Sequence, residues 1–259
     1  MREGLTKGGK MAGGATIARR PAAGRRHPCG RAVRLCVART VYGLVLGVVL
    51  VMACHAPLPA QDPQPAPRAV AQVFRTPLIL GASVSADYGT LSPGRRASLR
   101  YTKPSRIRVM AQGGTPGAEM VGRVRAHDLE DRSVVIALDL FFGDATLADP
   151  SRSLAAVQRL TQWTAARGLP LLLGHIPELL PGRQPQRACL NQAIRVQCTR
   201  TLQCRCVPLD ALHQQVLRDG FLMIHGRRYT LRELVLDGLH LSSPASEFLA
   251  DMLVALLRD

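Results

Sequence analysis

Residues 77–89 read PLILGASVSADYG and combine two patterns that point to one kind of domain. The run from Pro77 to Gly81 has the length and the continuous Leu and Ile content of a strand buried on both faces of a sheet. The small residues that follow it are typical of a turn. In an open parallel sheet, ligands bind outside the carboxyl ends of the strands, so the residues after this run are the first to inspect for chemistry.

The chain after about residue 75 repeats this alternation of short apolar runs with longer amphipathic stretches, which is typical of α/β domains. The predicted strands are Pro77 to Gly81, Ile107 to Ala111, Ser133 to Leu138, Leu169 to Gly174 and Arg205 to Leu209. The predicted helices are Ser151 to Arg167, Gln186 to Cys198, Asp210 to Arg218 and Pro244 to Leu257. We therefore predict a three-layer α/β/α domain over residues 75–259, with a flavodoxin-like sheet of five parallel strands.

The charge of the chain is unevenly distributed. The 259 residues include 34 Lys and Arg and 18 Asp and Glu, a formal charge of +16, and the first 54 residues carry +9 of it. Only 4% of residues are aromatic, which leaves few platforms for base stacking. We predict no nucleic-acid partner. The remaining +7 is interpreted as a solvated arginine-rich surface, and attraction of anionic lipid or polysaccharide is the alternative.

The basic segment ends in an uncharged run from Val41 to Ala53, followed by Cys54. Its thirteen residues suit the apolar part of an export signal, whereas a spanning helix needs about 20. The ending Val51-Met52-Ala53-Cys54 resembles a bacterial lipobox, and this resemblance implies cleavage before Cys54 and lipidation of its thiol. We predict a signal segment over residues 1–54 and a lipid-anchored product on the periplasmic side of the cell envelope.

Several alternatives for the amino-terminal segment stay open. The signal could be an ordinary cleaved one, a retained anchor or a twin-arginine signal, and translation could start at Met11. Residues 55–74 are rich in proline and are predicted to be an extended linker that holds the domain off the membrane.

Two short motifs near the ends of the domain carry the candidate chemistry. Ser83 lies at the predicted turn after the first strand, two residues after Gly81, and Asp237 precedes His240 by three residues just before the last predicted helix. A serine becomes a good nucleophile when a histidine takes its proton, and a carboxylate fixes the tautomer of that histidine. Each motif alone is weak, because small-residue loops and capped helix starts are common.

Together, in this order and at the two ends of a five-strand α/β domain, these motifs resemble the SGNH hydrolase family, also called GDSL-type esterases and lipases. The resemblance covers about residues 75–259. It implies that Ser83 is the nucleophile, His240 the general base and Asp237 its orienting acid; Ser85 is the runner-up serine. The implied function is that of an exported serine hydrolase that cleaves an ester or O-acyl group of a small molecule, glycan or lipid through an acyl-enzyme, without a cofactor.

The second block of the family is similar to the segment from Gln112 to Gly117. The resemblance implies that the Gly117 N–H joins the Ser83 N–H in an oxyanion hole, with Gly114 as the alternative. The third block departs from the family. The family has Gly-x-Asn-Asp after the third strand, whereas residues 138–144 of this chain read LDLFFGD and contain no asparagine.

Loss of one oxyanion donor typically costs about 100- to 1000-fold in rate, so this departure bears on activity. An ionised aspartate accepts hydrogen bonds and cannot replace the asparagine unless it is kept protonated. Other residues that follow predicted strands are expected to line the pocket: Gly114, Asp139, Gly143, Asp144 and His175. Asp87 and Tyr88 are further pocket candidates, with solvated loop residues as the simpler interpretation.

Four cysteines, namely Cys189, Cys198, Cys204 and Cys206, follow the predicted cleavage point. In an oxidising compartment we expect two disulfides that tie the helix over residues 186–198 to the last strand, and a bond between Cys204 and Cys206 would be strained. A zinc site is the alternative, but the spacings lack two Cys-x-x-Cys pairs, and we predict no metal.

Two other functional hypotheses come from different classes. The first is a non-catalytic envelope binding protein that keeps the scaffold after losing the oxyanion asparagine. The second is a flavodoxin-like nucleotide binder, which the absence of a Gly-rich phosphate loop disfavours.

Overall fold

The computed structural model describes residues 69–258. The predicted signal segment, Cys54 and most of the predicted linker lie outside this range. The strands are β1 (Pro77–Gly81), β2 (Arg108–Ala111), β3 (Val134–Ala137), β4 (Leu171–Gly174), β5 (Cys204–Val207), β6 (Leu222–Ile224) and β7 (Arg227–Tyr229). The helices are α1 (Val70–Val73), α2 (Pro93–Leu99), α3 (Gly117–Arg123), α4 (Ala126–Leu129), α5 (Ser151–Ala165), α6 (Arg187–Arg200), α7 (Leu209–Asp219), α8 (Leu231–Leu234) and α9 (Ser243–Ala255).

Strands β1 to β5 form one parallel sheet in the order β2-β1-β3-β4-β5. This is the flavodoxin-like order, so the predicted fold class is confirmed. Because all five strands run in the same direction, the loops after β1, β3 and β4 meet at one edge of the sheet. The candidate site lies at this edge.

The central strands β1, β3 and β4 are buried throughout, as their continuous apolar runs predict. The edge strand β2 is instead exposed or half-buried, and β5 has exposed and half-buried positions in its middle. Burial on both faces therefore holds only for the three inner strands, since each edge strand has a neighbour on one side only.

Alternate residues of the inner strands face two helical layers. Leu78 and Leu80 of β1 pack in a cluster with residues of α3, α5 and α6, whereas Ile79 packs with residues of α2 and α9. Successive side chains of a strand point to opposite faces, so one short run supplies both halves of the core. This gives the three layers.

The domain begins earlier than predicted. Residues 70–73, which we assigned to the linker, form the short helix α1, and Val73 and Phe74 are buried in the core. The linker prediction is therefore wrong at its carboxyl end, because these apolar residues pack beneath the sheet and the prolines lie farther upstream. Strand β5 ends at Val207, earlier than the predicted Leu209, since Pro208 has no N–H for the sheet.

A small cap lies beside the carboxyl edge of the sheet. Helix α7, the β6–β7 hairpin, α8 and the start of α9 enclose a separate apolar cluster, here called the cap cluster: Val216, Leu222, Ile224, Leu234, Val235 and Ala245. The hairpin turn consists of His225 and Gly226, both with positive φ (48° and 80°), as a two-residue hairpin turn requires. The hairpin was not predicted, because its strands have only three residues each.

A disulfide joins Cys198 at the end of α6 to Cys204 at the start of β5, with the Cα atoms 4.8 Å apart. Cys206 is free, so the prediction that the four cysteines form two bridges between this helix and this strand is wrong. Cys189 lies nine residues before Cys198, which is about 13 Å along a helix, and this places it far from the start of β5. Within residues 69–258, no helix has both the length and the apolar character needed to cross a bilayer.

Candidate active site

Three residues predicted from separate motifs form one hydrogen-bonded chain. Ser83 follows β1, and Asp237 and His240 lie in the loop between α8 and α9. The His240 Nε2 lies 2.9 Å from the Ser83 Oγ, and the His240 Nδ1 lies 2.6 Å from Asp237 Oδ2. When the Nδ1–H donates to the carboxylate, the Nε2 lone pair is free to accept the serine proton.

Asp237 also holds the loop that carries His240. Its Oδ1 accepts the backbone N–H of Leu239 at 3.0 Å and that of His240 at 2.7 Å. Gly238 makes the turn between them with a φ of 84°. The hydrogen bonds from the His240 ring and from these two N–H groups hold the pKa of Asp237 well below its ordinary value. The carboxylate therefore remains ionised across the range in which histidines titrate.

Tyr88 covers the imidazole of His240. The ring centroids are 4.6 Å apart at an interplanar angle of 41°, and Tyr88 remains 64% exposed. Tyr88 also lines the cavity described below. Asp87 instead forms an ion pair with Arg95 and accepts the N–H of Ser92 at 2.7 Å. It therefore stabilises the loop and does not line the cavity.

The loop over residues 82–89, here called the β1 loop, is anchored by Asp139 at the end of β3. Asp139 Oδ2 accepts the N–H of Val84 at 2.8 Å and of Ser85 at 3.2 Å, and its Oδ1 accepts the Ser85 hydroxyl at 2.5 Å. Burial raises the pKa of Asp139, and the hydrogen bonds from Ser85 and Val84 oppose that rise. Both oxygens of Asp139 act as acceptors, so this residue does not supply an oxyanion donor.

This contact also distinguishes the two candidate serines. Ser85 is buried, and its hydroxyl donates to Asp139, whereas the Ser83 hydroxyl contacts His240. The geometry thus selects Ser83 and leaves the runner-up Ser85 as an anchor of the loop. A side chain at Gly81 would collide with Asp139 and Ser85, which explains why glycine is found two residues before Ser83.

The structure does not support Gly117 as an oxyanion donor. The Gly117 N–H donates to Asp144, which also accepts from the N–H of Ala118 at 3.1 Å and from the hydroxyl of Ser153 at 2.6 Å. Gly117 also lies against the carbonyl of Leu140, where a Cβ would collide. The expectation for Gly117 is therefore corrected: α3 begins at this residue, and its N–H is capped by a buried carboxylate.

The adjacent glycines are better placed. A Cβ on Gly113 would lie 3.4 Å from the Cβ of Ser83, and both Gly113 and Gly114 line the same cavity as Ser83. Within residues 69–258, the N–H groups of Ser83, Gly113 and Gly114 have no acceptor. These backbone donors are available to a negatively charged oxygen near Ser83. The alternative Gly114 is thus favoured over Gly117.

A cavity of about 540 Å³ adjoins Ser83 and His240. Four of the five predicted pocket residues line it, namely Gly114, Asp139, Gly143 and His175, whereas Asp144 is buried beneath α3. The cap contributes most of the apolar lining, including Leu212, Val216, Leu222, Leu234 and Val235. Such a predominantly apolar cavity with a few polar groups is typical of sites for small organic molecules.

Two further polar side chains line this cavity and were not among the predicted pocket residues, Thr115 and His213; the more informative is His213. It lies on α7 three residues after Asp210, so the two face the same side of the helix. That spacing, on a helix predicted from the sequence, was the signal that could have identified it. Within residues 69–258, no group of three or more His, Cys, Asp or Glu side chains is placed to hold a metal ion.

Solved structures with a similar fold are described as an esterase, an α/β-hydrolase enzyme and a lipase/acylhydrolase. Similar structures include a psychrotrophic esterase from Pseudoalteromonas sp., crystallised with monoethylphosphonate as inhibitor (16% identity, 71% of this chain and 97% of that chain, TM-score 0.50). An α/β-hydrolase enzyme from the metagenome of Lake Arreo, Spain, is 14% identical over 73% of this chain and 99% of that chain, with a TM-score of 0.52. A lipase/acylhydrolase from Enterococcus faecalis is 17% identical over 71% and 95%, with a TM-score of 0.50.

No protein-family model matches the chain, and no protein of curated function matches it either. At these low identities, the similar structures establish that the fold is shared and nothing further.

Proposed function

We propose that this protein is a serine hydrolase of the SGNH type that cleaves an ester or O-acyl bond through an acyl-enzyme. The observation that carries the proposal is the chain Asp237–His240–Ser83, with contacts of 2.6 Å and 2.9 Å, beside an apolar cavity. The shared fold with esterases and an acylhydrolase supports the same conclusion.

The reaction has two halves. In the first, the Ser83 Oγ bonds to the carbonyl carbon of the ester while His240 Nε2 takes the serine proton. The tetrahedral intermediate collapses as the bond to the alcohol oxygen breaks, and His240 returns the proton to the departing alcohol. In the second half, a water molecule attacks the acyl-enzyme, His240 takes one of its protons, and the acid leaves as Ser83 regains its hydrogen. Asp237 stabilises the imidazolium in both halves.

The oxyanion is stabilised in this proposal by backbone groups. The N–H groups of Ser83 and of the Gly113–Gly114 segment are the available donors beside the nucleophile. A hole made of backbone donors functions without the family asparagine, at a rate cost of about 100- to 1000-fold if no third donor replaces it. Turnover is therefore expected to be modest.

The test uses hydrolysis of p-nitrophenyl butyrate by the purified protein and labelling by a fluorophosphonate probe. Ser83→Ala is expected to lose at least about 1000-fold in kcat and all labelling, because the nucleophile is absent. Ser85→Ala is the matched control, since it removes a hydroxyl of the same loop that does not contact His240; it is expected to keep labelling at Ser83.

Turnover unaffected by Ser83→Ala would refute the proposal. A wild-type protein that neither hydrolyses the ester nor reacts with the probe would instead favour a non-catalytic envelope binding protein on the same scaffold.

We also propose that the enzyme is exported and lipid-anchored at Cys54, on the periplasmic side of the envelope. The support comes from the sequence alone: a basic segment, an uncharged run of thirteen residues and the lipobox-like ending before Cys54. The substrate would then be an ester of a small molecule, glycan or lipid that reaches this compartment.

A further inference from the structure

Two histidines of the cavity have a buried ring nitrogen without a partner. His175 is 6% exposed and His213 is 8% exposed, and both line the cavity beside Ser83. Within residues 69–258, the His175 Nε2 and the His213 Nδ1 make no hydrogen bond. A buried polar atom without a partner costs free energy, so its presence calls for an explanation. The triad does not use either residue.

The ring of His175 is held in place from behind. Its Nδ1 lies 2.9 Å from Asp210 Oδ1, and its backbone N–H donates to the Val207 carbonyl at 2.9 Å. Asn191 donates to Asp210 Oδ2 at 3.4 Å and to the carbonyl of Ile176 at 3.0 Å. The carboxylate favours the tautomer with the proton on Nδ1, which leaves the Nε2 with a lone pair that accepts hydrogen bonds. Asp210 and His175 thus form a second Asp–His pair, in which the hydrogen bond at Nδ1 fixes the orientation of the ring and of its unpaired Nε2.

His213 also lines the cavity, and the two histidines together are here called the wall. It follows Asp210 by one helical turn on α7, so Asp210 and His213 are neighbours on one helix face. Burial lowers the pKa of His213, which keeps its imidazole neutral at neutral pH. A neutral imidazole nitrogen either donates or accepts one hydrogen bond, depending on its tautomer.

The sheet order gives the separation of this wall from the nucleophile. Ser83 follows β1 and His175 follows β4, and these strands are two positions apart in the sheet. Neighbouring strands are spaced about 4.8 Å apart, so the two loop starts are separated by roughly 10 Å across the sheet edge. The intervening cavity is mainly apolar. A medium-length alkyl chain spans this distance.

We propose that His175 and His213 form a subsite for a hydroxyl group on the chain of the ester substrate, about 10 Å from the scissile carbonyl. A hydroxyl suits this wall because it donates its single proton to the His175 lone pair and its oxygen accepts from His213 in the tautomer that carries the proton on Nδ1. An ammonium or carboxylate would carry a charge into an apolar cavity, at a high desolvation cost. Asp210 acts as the positioning residue of the subsite. The inference rests on the proposed hydrolase function and adds a substrate class to it.

The test compares p-nitrophenyl octanoate with the same ester bearing a hydroxyl on the terminal carbon of the octanoyl chain. The wild-type protein is expected to prefer the hydroxylated ester in kcat/KM by about tenfold or more, since a buried acceptor left unpaired is penalised. His175→Phe and His213→Phe are each expected to lower this preference ratio, and Asp210→Asn to weaken it because the tautomer is no longer fixed. His175→Gln restores an acceptor and is expected to recover part of the ratio.

The ratio is a readout that general damage to the fold would not move, since both esters share the triad and the chain length. His127→Phe is the control, because this histidine is exposed on α4 and does not line the cavity. A wild-type enzyme that hydrolyses both esters with a ratio unaffected by His175→Phe and His213→Phe overturns the subsite and leaves the hydrolase function intact. No hydrolysis of either ester, together with no labelling of Ser83, overturns the hydrolase function and the subsite with it.

Discussion

His240 is the residue on which the proposed chemistry depends, because it contacts both Ser83 and Asp237. Its side chain is 15% exposed, whereas the side chain of Asp237 is 53% exposed. The base is therefore shielded by Tyr88 and the loop, while its orienting carboxylate faces solvent. In buried triads, loss of the aspartate costs about 10,000-fold. Water can partly replace an exposed carboxylate, so a smaller effect is expected here.

At the residue scale, we predict that Asp237→Ala lowers kcat on p-nitrophenyl butyrate by about 100-fold or more, short of the loss caused by Ser83→Ala. The variant loses both the partner of the His240 Nδ1 and the acceptor of two loop N–H groups. Steady-state kinetics measure this. A variant with wild-type kcat would show that Asp237 does not orient the base.

The same variant tests the pH dependence. Because hydrogen bonds hold the pKa of Asp237 well below its ordinary value, the carboxylate stays ionised across the range in which histidines ordinarily titrate. The acid limb of kcat/KM is therefore expected to follow a single protonation, with activity lost as the pH falls. In Asp237→Ala this limb should stay a single protonation, since the carboxylate that the variant removes does not titrate in this range. An acid limb that needs two protons would contradict this account.

At the scale of elements, the segment that follows β3 anchors the loop after β1 by hydrogen bonds. This segment contains no asparagine, and Asp139 there accepts the N–H groups of Val84 and Ser85 and the hydroxyl of Ser85. Two loops of neighbouring parallel strands are thus tied together at the sheet edge. Asp139 thus anchors the loop that carries the proposed nucleophile Ser83, and both of its oxygens accept hydrogen bonds.

We predict that Asp139→Ala lowers the free energy of unfolding by about 2 to 4 kcal/mol and reduces kcat more than it raises KM. It leaves two backbone donors and one hydroxyl without their acceptor, so the β1 loop loses its anchor. Denaturant unfolding and steady-state kinetics measure the two effects. Asp219→Ala is the control, because Asp219 is exposed at the end of α7. Equal effects in the two variants would show that Asp139 does not anchor the loop.

At the scale of the whole molecule, the charge distribution separates two parts of the chain. The first 54 residues, which we propose to be a signal segment, hold +9 of the total +16. The proposed catalytic residues all lie between residues 83 and 240, in the domain that the structure describes. The proposed anchor and the proposed chemistry are therefore independent of each other.

We predict that the full chain, expressed in a bacterium, incorporates labelled fatty acid and is found in the membrane fraction, and that Cys54→Ser loses both. The thiol is the proposed acceptor of the lipid, and serine has none. Esterase activity towards a soluble ester is expected to persist in Cys54→Ser. Membrane association with no lipid label would indicate a retained anchor, and unchanged labelling of the variant would refute lipidation at Cys54.

The five sheet strands and the four long helices were predictable because apolar periodicity is a local property. Strand β1 has the predicted bounds, and β5 begins one residue earlier than predicted and ends where Pro208 follows it. Short elements were not predictable, since three or four residues carry too little periodicity to stand out from a loop. The cap hairpin and α8 belong to this group, and so does α1.

Sequence alone determined the fold class and pointed to Ser83, Asp237 and His240 as the proposed triad, because strand runs and motif spacings are local features of short segments. Only the tertiary structure decided what their neighbours do. The Gly117 N–H meets a carboxylate 27 residues away, and Val84 meets Asp139 across 55 residues. Such hydrogen bonds depend on which loops meet at the sheet edge and how each group is turned. The same holds for His175 and His213, which the loop after β4 and helix α7 bring to one cavity with a ring nitrogen left unpartnered.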